Sequence, residues 1–375
     1  MDDIDTPAWP DDRRRAEPLK GRGTATRLAH RFESAAREVV DADACASEDE
    51  FSREGVPLTS VVHEQARSIL SRNDSPDIPF TWSINPYRGC EHGCIYCYAR
   101  PTHSYLNLSP GLDFETRLVA KVNAAELLRR ELGKPRHEPS PINIGSATDA
   151  YQPIERALGI TRSVLEVLRE CQHPFTIVTK SSGIERDIDL IAAAAAQRQA
   201  YVMISLTTLD PDLCRRLEPR AAAPHRRLRT VRTLTEAGIP VGVNVAPIIP
   251  FINEPEIERL IEAAAQAGAS RVHYSVIRLP WEVNPLFQEW LSHHVPDKAE
   301  RVMARIREVR GGADYRADFS SRMKGQGVWA DLIRQRVVRA RARHGLTGDG
   351  PMLDTSSFTC PQTLPQRSDG QMGLF

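Results

Sequence analysis

FTIVTKSSGIERDIDLIAAAAAQRQAYVMISLTT, residues 175–208, is the stretch on which the fold turns. FTIVTK and YVMISLTT are short, nearly all-apolar runs, the mark of strands buried on both faces. Between them, residues 185–198 read as a helix. A strand, a helix and a second strand of this kind make one unit of a parallel sheet covered by helices.

The same alternation runs outward in both directions. Upstream, TWSIN precedes a helix expected over 115–132, and INIGS precedes one over 155–170. Downstream, helices are expected over 225–237, over 254–267 after VGVNVAPII, and over 297–309 after RVHYSVI. The first helix is expected to turn Leu118, Val122, Ala125, Leu128 and Leu132 to one side. Right-handed crossovers curl such a series into a barrel-like arc or an open doubly wound sheet. Six strand–helix units fall short of eight, which favours a partial (βα)6 TIM-like barrel; the doubly wound sheet stays as the alternative. In either form chemistry belongs at the C-terminal ends of the strands.

Around this core, expected over 80–310, the chain has appendages. Residues 1–50 read as an acidic, loosely packed leader and 51–79 as a lead-in. Residues 311–345 read as a basic helical extension. Residues 322–343 of it hold Arg322, Lys324, Arg334, Arg336, Arg339, Arg341 and Arg343 against a single acid, Asp331, and Trp329, Ile333 and Val337 form a helical seam. Residues 346–375 read as a flexible tail ending in QMGLF. The 375 residues carry zero formal net charge, which argues against indiscriminate coating of DNA but leaves room for a basic patch. No run approaches a membrane span, and MDDIDTPAWPDD lacks a signal-peptide core. Seven cysteines, Cys45, Cys90, Cys94, Cys97, Cys171, Cys214 and Cys360, are odd in number and mostly scattered, poor material for disulfides. The expectation is a reduced, soluble, cytoplasmic protein.

Three of those cysteines crowd into RGCEHGCIYCYARPT, residues 88–102, with the spacing CxxxCxxC. A structural zinc would take His92 or His103 as fourth ligand, but it usually draws on a second knuckle, and no other CxxC exists. A redox dithiol needs only Cys94 and Cys97 and leaves Cys90 idle. A three-thiolate iron–sulfur cluster uses all three and leaves one iron open. The loop also follows the first parallel strand, at the rim where chemistry is expected.

Cys90, Cys94, Tyr96 and Cys97 match the CxxxCxΦC signature of the radical S-adenosylmethionine (SAM) superfamily. The wider stretch NPYRGCEHGCIYCYARPTH, residues 85–103, resembles the branch containing spore photoproduct lyase, as do SATDAYQPIE, VTKSSGIERDIDL, LEPR, PIIP and RMKGQG. The resemblance implies a (βα)6 partial barrel. It implies a [4Fe-4S] cluster on Cys90, Cys94 and Cys97, with S-adenosyl-L-methionine on the free iron cleaved to a 5′-deoxyadenosyl radical. It further implies a one-electron donor such as flavodoxin or ferredoxin.

Such a cofactor needs polar partners at the strand ends. Tyr96 is its expected neighbour within the cysteine spacing. Ser146, Thr148 and Asp149 follow the second strand in the place of the family's amine-binding motif, without its GGE spelling, and their bland reading is loop capping. Thr179, Lys180 and Ser181 end FTIVTKSS; a lysine there neutralises a carboxylate or snorkels to solvent. Ser205 and Thr207 share a strand face suited to ribose hydroxyls. Arg220 of LEPR either holds the methionyl carboxylate or closes a pair with Glu218. Asn244 interrupts an apolar strand and needs a partner, so a cofactor contact is expected. Tyr274 is the candidate catalytic residue, pointing inward to carry a substrate contact or a proton; a packed aromatic is the alternative.

The substrate is less legible. Spore photoproduct lyase carries a hydrogen-donating cysteine about where this chain has Ser146, and a serine hydroxyl is a poor hydrogen-atom donor. No further cysteine-rich tract suggests an auxiliary cluster. The basic extension suggests nucleic acid, and a nucleic-acid lesion is one candidate substrate. The terminal Gln371–Phe375 resembles the QLxLF peptide by which bacterial replication and repair proteins dock on the sliding clamp. The alternatives are radical modification of RNA or protein, and a non-catalytic nucleic-acid-binding protein with a structural metal site.

Overall fold

A computed structural model describes residues 18–33, 57–348 and 350–361; Cys45 and Gln371–Phe375 lie outside the described residues. The described residues form ten strands: β1 Ser60–Glu64, β2 Leu70–Arg72, β3 Trp82–Ile84, β4 Tyr87–Arg88, β5 Arg117–Lys121, β6 Ile142–Ile144, β7 Phe175–Thr179, β8 Ala200–Ser205, β9 Val241–Ile248 and β10 Arg271–Val276. The main sheet runs β10-β9-β8-β7-β6-β3-β2, and β1-β5-β4 form a small second sheet. From β3 through β6, β7, β8 and β9 to β10 every pairing is parallel, while β2 adds antiparallel to the β3 edge. These are the six strands expected from the sequence, side by side in chain order, each followed by helix: the partial TIM-like barrel.

Period-two alternation sorts the strand residues onto two faces. Ile84, Ile144, Ile177, Val202 and Val241 stand in register across five strands, all buried against the helical layer. The concave face is more polar and carries Ser83, Asn143, Thr176, Tyr201, Ser205 and Asn244. Gly242 lies on it because a Cβ there would meet the Tyr201 hydroxyl and Met203 sulfur at 2.1 and 2.5 Å.

Two helix expectations need correction. Residues 115–132 are not one helix: Asp113–Thr116 is a single turn, β5 follows, and the helix covering β6 is Ala124–Leu132. Leu118 is therefore a strand residue and Val122 is exposed. Its apolar spacing belonged to two elements, since Ala125, Leu128 and Leu132 alone ride the helix. The expected 155–170 helix breaks at Gly159, whose φ of 64° ends Glu155–Leu158 before Ile160–Glu170 begins.

The appendages are more ordered than expected where they are described. Residues 18–33 of the expected leader lie against the cysteine loop: Gly23 donates to Glu115 at 2.9 Å and Arg22 to the Glu115 carbonyl at 3.0 Å. The basic helix occupies Gly327–Arg343, and the residues before it form a strap along β10. Val276 donates to the Met323 carbonyl at 2.8 Å, Lys324 to the Tyr274 carbonyl at 2.8 Å, and Arg322 reaches Asp77 beyond β2 at 2.6 Å. The strap thus satisfies the open edge of the arc and ties it to the opposite edge. Residues 350–361, part of the expected flexible tail, cross the N-terminal end of the sheet, where Asp354 donates to the Arg198 carbonyl and Thr359 to that of Cys171, both at 2.8 Å. Among the described residues no helix is long and apolar enough to cross a membrane.

Candidate active site

The cysteine loop leaves β4 at Gly89 and sits over the C-terminal rim. Gly89 and Gly93 adopt φ of 77° and 64°, turning the chain around Cys90 and Cys94. The fully buried Arg100 then gathers the loop, donating to the carbonyls of Cys94 (2.9 Å), Gly93 (3.1 Å) and Gly111 (3.0 Å) and to the buried Glu115 carboxylate. Cys90 and Cys94 are buried, Cys97 is half-buried, and all three are free thiols. Burial pushes the Cys90 thiol up to about 12 and, with Glu218 and the neighbouring thiols, Cys94 well above its ordinary range. Among the described residues no three His, Cys, Asp or Glu side chains converge tightly enough for a single metal ion.

Behind the loop lies a buried network. The Tyr96 hydroxyl meets Thr207 Oγ1 at 3.1 Å and donates to Glu218; Thr207 donates to the same carboxylate at 2.6 Å. Glu218 is paired with the buried Arg227, which also donates to the Ser205 carbonyl at 3.0 Å. Burial alone would raise the Glu218 carboxyl, but Arg227, Lys180 and its hydrogen bonds outweigh it and hold it at about 2. The Cys214 thiol donates to Glu218 from behind, at 3.7 Å, and serves this network. Sequence reasoning gave Glu218 to Arg220; the structure gives it to Arg227, whose signal was only its place in the basic helix Pro224–Glu236.

Lys180 extends the concave row past the end of β7, its Nζ 5.9 Å from the Tyr96 ring centroid. Among the described residues that ammonium makes no hydrogen bond. Burial works to lower it, but Cys94 and Glu218 outweigh this and raise it.

Most other expected site residues are engaged in building the rim. Asp149 takes hydrogen bonds from Thr179 Oγ1 and the Lys180 amide, both at 2.7 Å, and lies 3.3 Å from His92 Nδ1. Burial would raise this carboxyl, yet His92 and those donors hold it at about 2. Ser146 takes a bond from Asn85 at 3.1 Å, and its carbonyl receives the Tyr98 hydroxyl; Thr148 donates to the Tyr87 carbonyl at 3.2 Å. Ser181 caps Gly183 at 3.0 Å. Arg220 pairs with the buried Glu91 at 3.2 Å and not with Glu218. Gly145, with φ of 88°, is required because a Cβ would meet the Val178 carbonyl at 2.7 Å.

Ser205, Asn244 and His273 are register partners across β8, β9 and β10 on the concave face. Tyr274, expected to point inward, does not: alternation turns it with Val272 and Val276 to the helical side, under the Lys324 ammonium, 3.5 Å from its ring centroid. His273 takes the concave position, and burial, with the charges of Arg271, Lys324 and Arg341, lowers its imidazole to about 4. Cys360 follows Thr359 at the opposite end of the barrel, beside Cys171.

Residues 84–264 match the family model described as the Radical SAM superfamily. An uncharacterised protein of Mycobacterium tuberculosis is 33% identical over 274 residues, covering 72% of this chain and 77% of the relative. An uncharacterised protein of Methanocaldococcus jannaschii is 30% identical over 173 residues, covering 46% of this chain and 62% of the relative. Among solved structures, spore photoproduct lyase complexed with dinucleoside spore photoproduct superposes with a TM-score of 0.51 at 16% identity, over 76% of this chain and 79% of that one. Fold, cysteine signature and family match agree: the chain belongs to the radical SAM superfamily, whose shared cofactors are a [4Fe-4S] cluster and S-adenosylmethionine, and it is an enzyme of that superfamily.

Proposed function

We propose that Cys90, Cys94 and Cys97 hold the cluster, that S-adenosylmethionine occupies the concave rim beside them, and that the enzyme abstracts hydrogen from a nucleic-acid substrate. The cofactor reading is carried by the CxxxCxxC loop on the C-terminal rim, whose three thiols are free and whose Cys94 lies close enough to Lys180 to raise its ammonium. Three soft donors with no other employment suit an iron–sulfur cluster. When bound, the reduced cluster supplies the electron that cleaves the sulfonium and releases a primary carbon radical; a flavodoxin or ferredoxin is the proposed source of that electron.

The remaining residues bind and orient. Lys180 neutralises the methionyl carboxylate: Cys94 and Glu218 keep its ammonium charged, and among the described residues its N–H donors make no hydrogen bond and are free for an oxygen acceptor. Tyr96, fixed by Thr207 and Glu218, walls the cofactor, and Ser205 and Asn244 line its ribose and adenine side. Asp149 and Thr179 hold the strand ends on which Lys180 is mounted. We assign residues 80–310 to the catalytic core.

The substrate class rests on the rim. Tyr98, Trp281 and Phe319 are about half exposed, each with an arginine over its ring: Arg278 at 4.5 Å, Arg31 at 4.5 Å and Arg322 at 4.6 Å. Exposed rings backed by guanidiniums suit unstacked bases and their phosphates. The basic helix Gly327–Arg343 contributes less, because Arg336 is committed to Glu254 and Glu258. The test is anaerobic reconstitution and reduction with dithionite. The protein should release 5′-deoxyadenosine, and a cluster-replete sample yielding none overturns the cofactor reading. A single-stranded oligonucleotide should bind with salt-sensitive affinity that falls in Arg278→Glu; unchanged binding removes the rim from the substrate reading.

A further inference from the structure

Outside the barrel mouth, the loops after β6 and β7 and the helix Pro224–Glu236 enclose a cavity of about 250 Å³. Arg156, Arg186 and Arg226 line it, together with Tyr151, Glu155, Ser182 and Gly183. We infer that this cavity is a phosphate-binding pocket. It goes beyond the proposed function and stands whatever substrate the barrel takes.

Two of the three guanidiniums are held from behind. Arg186 is clamped by Asp187 (Nε to Oδ1, 2.9 Å) and Glu155 (2.7 Å), and Arg226 makes a two-point contact to Glu185 at 2.6 and 2.7 Å. The Tyr151 hydroxyl donates to Asp187 at 3.0 Å, fixing the floor. The third guanidinium differs: Arg156 is exposed, and among the described residues its side chain has no acceptor. Asp187, Glu155 and Glu185 neutralise Arg186 and Arg226 and fix their direction, with Glu155 itself on the lining. Most of both forks is spent on these carboxylates; among the described residues the Arg226 Nε, one N–H of Arg186 Nη1 and the whole Arg156 guanidinium keep donors free for a tetrahedral oxyanion. The cavity is smaller than the range usual for a drug-sized ligand, about 300–1,000 Å³, and takes a phosphate with its waters.

A free phosphorylated small molecule and a backbone phosphate of a nucleic acid share this chemistry. The experiment uses the cluster-reconstituted full chain with S-adenosylmethionine at saturation, so that Lys180 is already engaged. Inorganic phosphate is titrated at low salt by calorimetry. Saturable binding is expected, weakened about tenfold or more in Arg156→Glu and largely restored in Arg156→Lys. Displacement of that phosphate by a short single-stranded oligonucleotide assigns the pocket to a backbone. Displacement by a nucleoside monophosphate alone assigns it to a small molecule; either result supports the pocket. Absence of saturable binding in the millimolar range overturns it. So does an affinity unchanged in Arg156→Glu when circular dichroism shows the variant folded.

Discussion

At the C-terminal end of the sheet Cys90, Cys94 and Cys97 stand unpaired beside Lys180, whose ammonium makes no hydrogen bond among the described residues. At the N-terminal end Cys171 is buried, its carbonyl takes the Thr359 amide, and His137 and His173 meet each other and Phe358. The two ends share residue types, yet one leaves its polar groups waiting and the other closes them on one another. Burial pushes the Cys171 thiol up to about 11, much as it raises Cys90, so thiol acidity does not distinguish the ends. What distinguishes them is convergence on a rim with an unsatisfied cation.

The largest test of that contrast is all-or-none. Cys94→Ala should remove the iron–sulfide absorption and reduce 5′-deoxyadenosine formation to background, with the fold retained. Cys171→Ala should leave both intact, at a stability cost of about 1–3 kcal/mol for the buried atom lost. Equal loss of the chromophore in the two variants would break the comparison.

Next in size is the buried pair behind the rim. Glu218→Gln leaves Arg227 charged, enclosed and unpaired, which should cost about 3–5 kcal/mol in urea unfolding of the reconstituted protein. A loss below about 1 kcal/mol would show that Arg227 finds another acceptor, and that the network does not fix Tyr96. Removing the waiting cation costs less and reads differently. Lys180→Met should weaken S-adenosylmethionine binding by about 1.5–3 kcal/mol, roughly tenfold to more than a hundredfold, with the chromophore unchanged. Lys324→Met, which removes an ammonium already donating to the Tyr274 carbonyl, should leave that affinity alone.

The six strands, their order and the cysteine loop were legible because burial on both faces writes an apolar run and because three cysteines within eight positions leave few alternatives. Residues 113–132 were misread because Leu118 keeps helical spacing with Ala125, although the strand β5 ends between them at Lys121. Tyr274 was misplaced although RVHYSV alternates cleanly, Arg271, His273 and Ser275 against buried Val272, Tyr274 and Val276: the phase sets Tyr274 with the valines, and its hydroxyl was read as a reason to face the site. Arg227 was missed because a buried arginine is indistinguishable in sequence from a solvated one. Only its tertiary partner, Glu218, gives it a role. The strap was legible only as the motif RMKGQG; that Arg322 spans to Asp77 depends on the arc bringing its two edges together.

The smallest expected effect separates the ends by pH. His173 is fully buried and donates from Nδ1 to the Pro174 carbonyl at 3.0 Å, so its Nε2 accepts from His137 at 3.0 Å. Burial lowers its imidazole to about 4, from an ordinary value near 6.5. A lowered histidine favours the folded state fully above its unfolded value, and that contribution is lost as pH falls from about 6.5 towards 4. At pH 5 the loss is about 2 kcal/mol. The rim carboxylates Asp149 and Glu218, held at about 2, lose nothing in that window; His273, lowered as far as His173, acts on β10, three strands away from β7. Hydrogen exchange corrected for intrinsic rates should therefore show the Thr359 amide losing protection about twentyfold between pH 7 and pH 5, while the Lys180 amide on Asp149 keeps its own. Equal loss at both amides would mean that acid opens the barrel as one unit, and the N-terminal seal would have no separate stability.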